Sequence, residues 1–218
     1  IENGEVTDLS LENCAIIGEG MTGGLAGRVT GGTIAGCKVN GAVKGGEGYT
    51  GGLIGFASAA HITHCCVTGN VVVGVDEAGG LLGGINTGDV SQCYAVCAVA
   101  GKDGVGGFIG RANTASIAHC YAAGLVTGKT KTGGLVGTGN ASATVSASFW
   151  DVEISGQTQS YLGTGLDTAS MMRPDPFVDA GWDFSSGDGT PAVWEIASWG
   201  NYPYFAGSYP AGAGFTMA

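Results

Sequence analysis

The stretch Gly51-Gly52-Leu53-Ile54-Gly55 decides the fold, because it returns along the chain at a fixed period. Its counterparts are Gly23-Gly24-Leu25-Ala26-Gly27, Gly79-Gly80-Leu81-Leu82-Gly83, Gly106-Gly107-Phe108-Ile109-Gly110 and Gly133-Gly134-Leu135-Val136-Gly137, at steps of 28, 28, 27 and 27 residues. Cys37, Cys65, Cys93 and Cys120 keep the same period, each fourteen residues after the first Gly of its unit. Ser148 takes that slot in the last unit, and Cys14 reads as the same slot in an earlier, incomplete one. An apolar residue precedes each by three: Leu11, Ile34, Ile62, Val90, Ile117 and Val145. Helical repeats need long segments with 3.6-residue periodicity, which glycine pairs interrupt. Short Val/Ile/Leu runs broken by Gly and Asn at a 27–28 residue period point instead to stacked β-coils.

The reading is therefore all-β: a parallel β-solenoid of about six coils over 1–147, with roughly three strands per coil. One strand is assigned to the Gly-Gly-Leu-x-Gly segment, one to the Ile and Cys positions, and one to short stretches such as Ala42-Val43. Ile and Cys three apart have opposite parity in a flat strand, so both face inward only if a bend lies between them. Gly36, His64, Gln92, His119 and Ala147, just before the cysteine slot, are small or polar as a bend requires, and Asn13 is placed with them. The cysteines 14, 37, 65, 93 and 120 then form an internal ladder of reduced thiols, with Cys66 and Cys97 off it. Parallel in-register side chains aim their sulfurs poorly for a disulfide.

Composition bounds the function. Of 218 residues 44 are Gly, about a fifth, and only 12% are charged, which fits neither a disordered chain nor a nucleic-acid binder. The net charge of −10 is uneven: residues 1–147 carry 7 basic and 10 acidic side chains, and 148–218 carry one basic and eight acidic. No apolar run reaches the ~18 residues of a membrane span. The chain opens on Ile1-Glu2-Asn3, as a processed or excised segment would.

Residues 148–218 hold all four tryptophans and 13 of the 18 aromatic residues, and read as a small capping region for the end of the coils. It is expected to contain one short helix over Asp167–Arg173, ended by Pro174, and a strand at Val193-Trp194-Glu195-Ile196.

The units 106–124 and 133–137 resemble the GLUG repeat of large secreted bacterial surface proteins, often called adhesins of the filamentous-haemagglutinin type. Ser148-Phe149-Trp150-Asp151, Gly163-Thr164-Gly165-Leu166 and Ala180-Gly181-Trp182-Asp183-Phe184 look like the segment that commonly closes such arrays. The resemblance implies an exported parallel β-solenoid without catalytic residues. His64 and His119 stand where the family often has Asn.

Three candidate sites follow. Tyr94, Tyr121 and Phe149 directly follow their ladder residues and stack on an outer face, where they either bind sugar rings or lie covered. His61-x-x-His64-Cys65-Cys66 is the densest metal-capable set, but an inward Cys65 and a bend at His64 oppose convergence on one ion. Asp183 and Asp188 lack the spacing of a calcium loop, and no cofactor is called for. Scattered repeat-region carboxylates argue against a β-helix polysaccharide-degrading enzyme. The expected role is a non-catalytic, extracellular structural or adhesive module at the cell surface. Its partner is itself, head to tail, or neighbouring coils of a longer chain, with the tail Ser208–Ala218 available to reach a neighbour; a glycan-binding module is the alternative.

Overall fold

The computed structural model describes residues 1–73, 75–184, 191–196 and 200–207. The chain divides into two compact units, Ile1–Thr168 and Ala169–Ala218.

The first unit is a parallel β-solenoid of about five turns. Three sheets run along it, nine-, eight- and five-stranded, and every strand pair in them is parallel. The nine-stranded face includes Glu5–Thr7, Thr33–Ala35, Ala60–Thr63, Leu82–Ser91 and Ile109–Ala118. The eight-stranded face includes Ser10–Gly18, Lys38–Gly45, Cys66–Val73, Tyr94–Ala100 and Tyr121–Ala122. The narrow third face has five rungs, from Thr22–Gly23 to Thr130–Gly133. Each repeat position thus becomes a ladder, and the interior stacks like on like: Ile34, Ile62, Val90 and Ile117 are fully or almost fully buried, as are Leu53, Leu81, Phe108 and Leu135.

The Gly-Gly-Leu-x-Gly motif is not a strand, as its sequence suggests, but a corner. Its first Gly closes a third-face strand, its Leu turns inward, and the nine-stranded face resumes at the fourth residue, as in Thr50–Gly51 followed by Ile54–Ser58. Rung-to-rung bonds continue through the turn, with Leu25 N–H donating to Leu53 O and Leu53 N–H to Leu81 O, each at 2.9 Å. The corner is so tight that a Cβ on Gly79 would stand 2.0 Å from Leu82 O. Glycine is required there by backbone contact rather than by a left-handed φ.

The left-handed bends lie elsewhere. Asp8, Gly36, His64, Gln92, His119 and Ala147 have φ of 53°, 63°, 53°, 50°, 52° and 44°. A left-handed residue reverses side-chain parity, which lets the apolar residue and the cysteine three apart both face the core. The first coil corrects the sequence reading. Val6, not Leu11, pairs with Ile34, and Leu11 pairs with Val39. A bulge between Leu11 and Cys14, with Asn13 at φ 53°, then sets Cys14 opposite Gly41 rather than beside Cys37. Cys14 is therefore not a rung of the cysteine ladder.

The coils run past the last glycine-pair unit. Phe149–Asp151 pairs with Tyr121–Ala122, and Thr164–Leu166 pairs with Phe149–Asp151 in turn. Between those two strands lies helix α1, Val152–Ser155. The buried Asp151 carboxylate caps it, accepting from the Glu153 and Ile154 N–H groups and from the Thr168 hydroxyl.

Among the described residues three short helices stand where one is expected: α2 (Thr168–Met171) lies within the expected span, and α1 and α3 (Asp175–Asp179) are additional. As expected, α2 stops before Pro174, which then stands at the N-cap position of α3, where its missing N–H costs nothing. In the second unit Trp194–Glu195 pairs antiparallel with Tyr204–Phe205. An aromatic chain forms its centre: Phe177 and Trp182 lie 4.8 Å apart, Trp182 and Trp194 4.5 Å, and Trp194 and Phe205 4.8 Å. Asp188, Trp199 and the tail Ser208–Ala218 lie outside the described residues.

Candidate functional site

The cysteine ladder contains Cys37, Cys65, Cys93 and Cys120, all buried thiols. Each sulfur lies next to a left-handed bend residue and donates back to the carbonyl two residues earlier: Cys65 to Thr63 O at 3.2 Å, Cys93 to Ser91 O at 3.1 Å, Cys120 to Ala118 O at 3.2 Å. The sulfur also faces the neighbouring coil, so that Cys93 Sγ accepts the Cys65 N–H at 3.3 Å. Ser148 reproduces both bonds with oxygen: its hydroxyl donates to Ser146 O at 2.8 Å and accepts the Cys120 N–H at 3.1 Å. The ladder is a hydrogen-bonding corner as well as an apolar one. Burial and the adjoining Cys120 thiol raise the Cys93 pKa, which keeps it protonated and unreactive. The off-ladder Cys97 stands opposite Gly69 and is pushed up to about 12 by burial.

The aromatic column is real, and its rings are not open. Tyr94, Tyr121 and Phe149 are in register on adjacent rungs, with Cys66 and Lys38 continuing the column below Tyr94. The two tyrosine rings are nearly parallel, 5.2 Å between centroids and 9° between planes. All three side chains are buried, at 9%, 1% and 7% exposure, so no ring face of this column is presented to a sugar.

The histidine and cysteine cluster separates as its parity requires. His61 points outward and pairs through Nδ1 with Asp89 on the next rung, His64 Nδ1 lies 2.9 Å from the Thr63 hydroxyl, and Cys65 is in the core. Among the described residues no group of three metal-capable side chains converges. Carboxylates are also dispersed: Glu77 pairs with Arg111 at 3.2 Å, Asp103 with Lys131 at 2.8 Å, and Asp89 with His61.

The first coil presents a different kind of surface. Glu5–Thr7, Ser10–Gly18 and Thr22–Gly23 stand at the ends of their three sheets, each bonded to a single neighbouring rung. Large apolar residues are exposed on this coil: Ile1 and Leu9 at about 40%, Met21 at 42% and Ile17 at 81%. Val6, Leu11, Cys14 and Leu25 extend the core to this end and are only partly buried. Bare ladder groups beside apolar side chains are what a further β-rung covers.

One relative gives a limited match. A protein of Evansella cellulosilytica described as a Gly-rich membrane protein is 39% identical over 75 residues, which is 33% of this chain and 8% of that protein. The chain thus matches only a small part of that relative's length. No family model matches the chain. No solved structure matches it. Among the described residues no helix is long and apolar enough to cross a membrane.

Proposed function

We propose that this chain is a non-catalytic rod module of an exported bacterial surface protein, whose coils are made to be continued by further coils. The observation that carries the reading is the first coil, with three bare sheet edges and exposed Ile1, Leu9, Ile17 and Met21 around an incompletely covered core. Such an edge is covered either by preceding coils of a longer protein or by a second copy stacked head to tail, which propagates into a filament. Two further points support it. The motifs of units 106–124 and 133–137 resemble the GLUG repeat of secreted surface proteins, and the Evansella relative, described as a membrane protein, is far longer than its matched segment. Dispersed carboxylates, among them Asp89, Glu77 and Asp103 paired separately with His61, Arg111 and Lys131, favour a scaffold over a hydrolase.

The test is to extend the chain at its N-terminus by one further 28-residue unit copied from 29–56, which ends in register with Ile1. In a quasi-one-dimensional repeat protein this should raise the unfolding midpoint, because one more interface is added. Negative-stain micrographs of the unextended chain should show end-to-end association that Leu9→Lys with Ile17→Lys abolishes. Discrete particles at every concentration, together with no gain from the added coil, would overturn the reading.

A further inference from the structure

The nine-stranded face carries a second aromatic row, distinct from the buried tyrosine column, and this one lies at the surface. Arg28, Phe56, Gly84, Arg111 and Thr138 occupy one outward register position on five successive rungs. Tyr49, from the loop before Thr50–Gly51, lays its ring beside Phe56, 4.8 Å between centroids and 46° between planes. The same ring fills the space above Gly84, where an added Cβ would meet Tyr49 carbons at 2.5 Å. Glycine at 84 therefore seats the tyrosine. The surface then reads Arg28, Phe56, Tyr49, Arg111 along the rod, over roughly 14 Å at ~4.8 Å per rung.

The two ends of the row are guanidinium groups. Arg111 is held in place, its Nη1 donating to Glu77 Oε1 at 3.2 Å and its Nε to Asn113 Oδ1 at 3.3 Å, while Nη2 has no partner among the described residues. Asn113 is itself tied to Asn86 on the rung below at 3.4 Å. Arg28 is exposed, and among the described residues its side chain forms no ion pair. The chain carries −10 overall and has three arginines, of which two stand on this row, flanking half-buried rings. Flat aromatic faces receive the C–H face of a pyranose, and planar guanidinium forks receive carboxylates in bidentate fashion, which lysine does not match.

We propose that this row binds an acidic polysaccharide, a uronate-bearing glycan strand lying along the rod axis, with Phe56 and Tyr49 stacking on sugar rings and Arg28 and Arg111 pairing with carboxylates. Glu77 offsets part of the positive charge, so selectivity comes from the Arg111 geometry it fixes rather than from bulk charge. The proposal does not depend on the rod reading: a chain that stacks end to end but binds no uronate keeps the rod and loses this ligand.

The experiment is affinity electrophoresis of the full chain in gels containing polygalacturonate, with neutral dextran as the comparison. The wild type is retarded by polygalacturonate, less so as salt rises, and not by dextran. Phe56→Ala and Arg111→Lys each weaken retention at least tenfold with unchanged circular dichroism, whereas Lys44→Ala, one positive charge lost from the eight-stranded face, leaves it as it was. No retardation, equal retardation in dextran, or an equal loss with Lys44→Ala would overturn the proposal. If Phe56→Ala fails to fold, Arg111→Lys decides alone.

Discussion

Replacing Cys93 tests whether the buried thiols fill space or hold the corner. The side chain is completely buried, its sulfur donates to Ser91 O at 3.1 Å, and it accepts the Cys65 N–H at 3.3 Å. Cys93→Ala deletes the sulfur and leaves the Cys65 N–H without that acceptor. An unsatisfied buried donor costs ~1–3 kcal/mol, and a sulfur-sized void adds roughly 1 kcal/mol, giving about 2–4 kcal/mol in all. Cys93→Val refills the volume but restores neither bond, so it should still cost about 1–3 kcal/mol. Cys93→Ser restores both bonds with oxygen, in the geometry that Ser148 already uses two positions higher in the ladder. It should be the mildest of the three, within about 1–1.5 kcal/mol of wild type. The assay is urea unfolding followed by circular dichroism, comparing midpoints at fixed protein concentration. A ranking with Val equal to wild type and Ser the worst would refute the reasoning, and would make the ladder a purely apolar stack.

Other outcomes follow from the same geometry. Gly79→Ala should cost ~3 kcal/mol or more, since its Cβ would meet Leu82 O at 2.0 Å and Gly110 N at 2.6 Å, both backbone, whereas Gly20→Ala, with nothing within 4 Å, should be nearly neutral in the same melts. Burial lowers the His64 pKa, so the unfolded chain takes up the proton first; stability is full above the unfolded pKa of ~6.5 and falls as pH drops from there to the folded value. His64→Gln, matching Gln92 on the next rung, should remove that loss in unfolding midpoints measured between pH 7 and 5. Native-state alkylation followed by mass spectrometry should modify the half-buried Cys14 first and Cys93 and Cys97 last; early labelling of Cys93 would show that the coils open there.

The glycine-pair period was enough to predict a parallel stack, because identical residues at a fixed period come into register in stacked coils. The bend before each cysteine was also legible, since an apolar residue and a cysteine three apart cannot share a face without one. Three things were not. The Gly-Gly-Leu corner reads as a strand in the sequence because its glycines serve a close backbone approach, which leaves no local periodicity of its own. Cys14 reads as a ladder position because a bulge shifts register without marking the sequence, and its neighbour Asn13 fits a bend either way. The Arg28–Phe56–Arg111 row was present in the sequence, one residue after the closing Gly of each unit. It was hidden because Tyr49 joins from a different slot.

The sequence by itself therefore determined the coil, its period and its apolar interior, all of which are properties of neighbours along one repeat. Tertiary structure alone decided which aromatic residues are buried and which lie at the surface. It also showed that the Ser148 hydroxyl makes at its corner the bonds that the cysteine sulfurs make at theirs, and where the parallel ladder continues beyond the repeats into 149–166. The reason is that exposure and side-chain bonding depend on what a different rung or loop places alongside. Glycine at 84 means little until Tyr49 is seen lying over it.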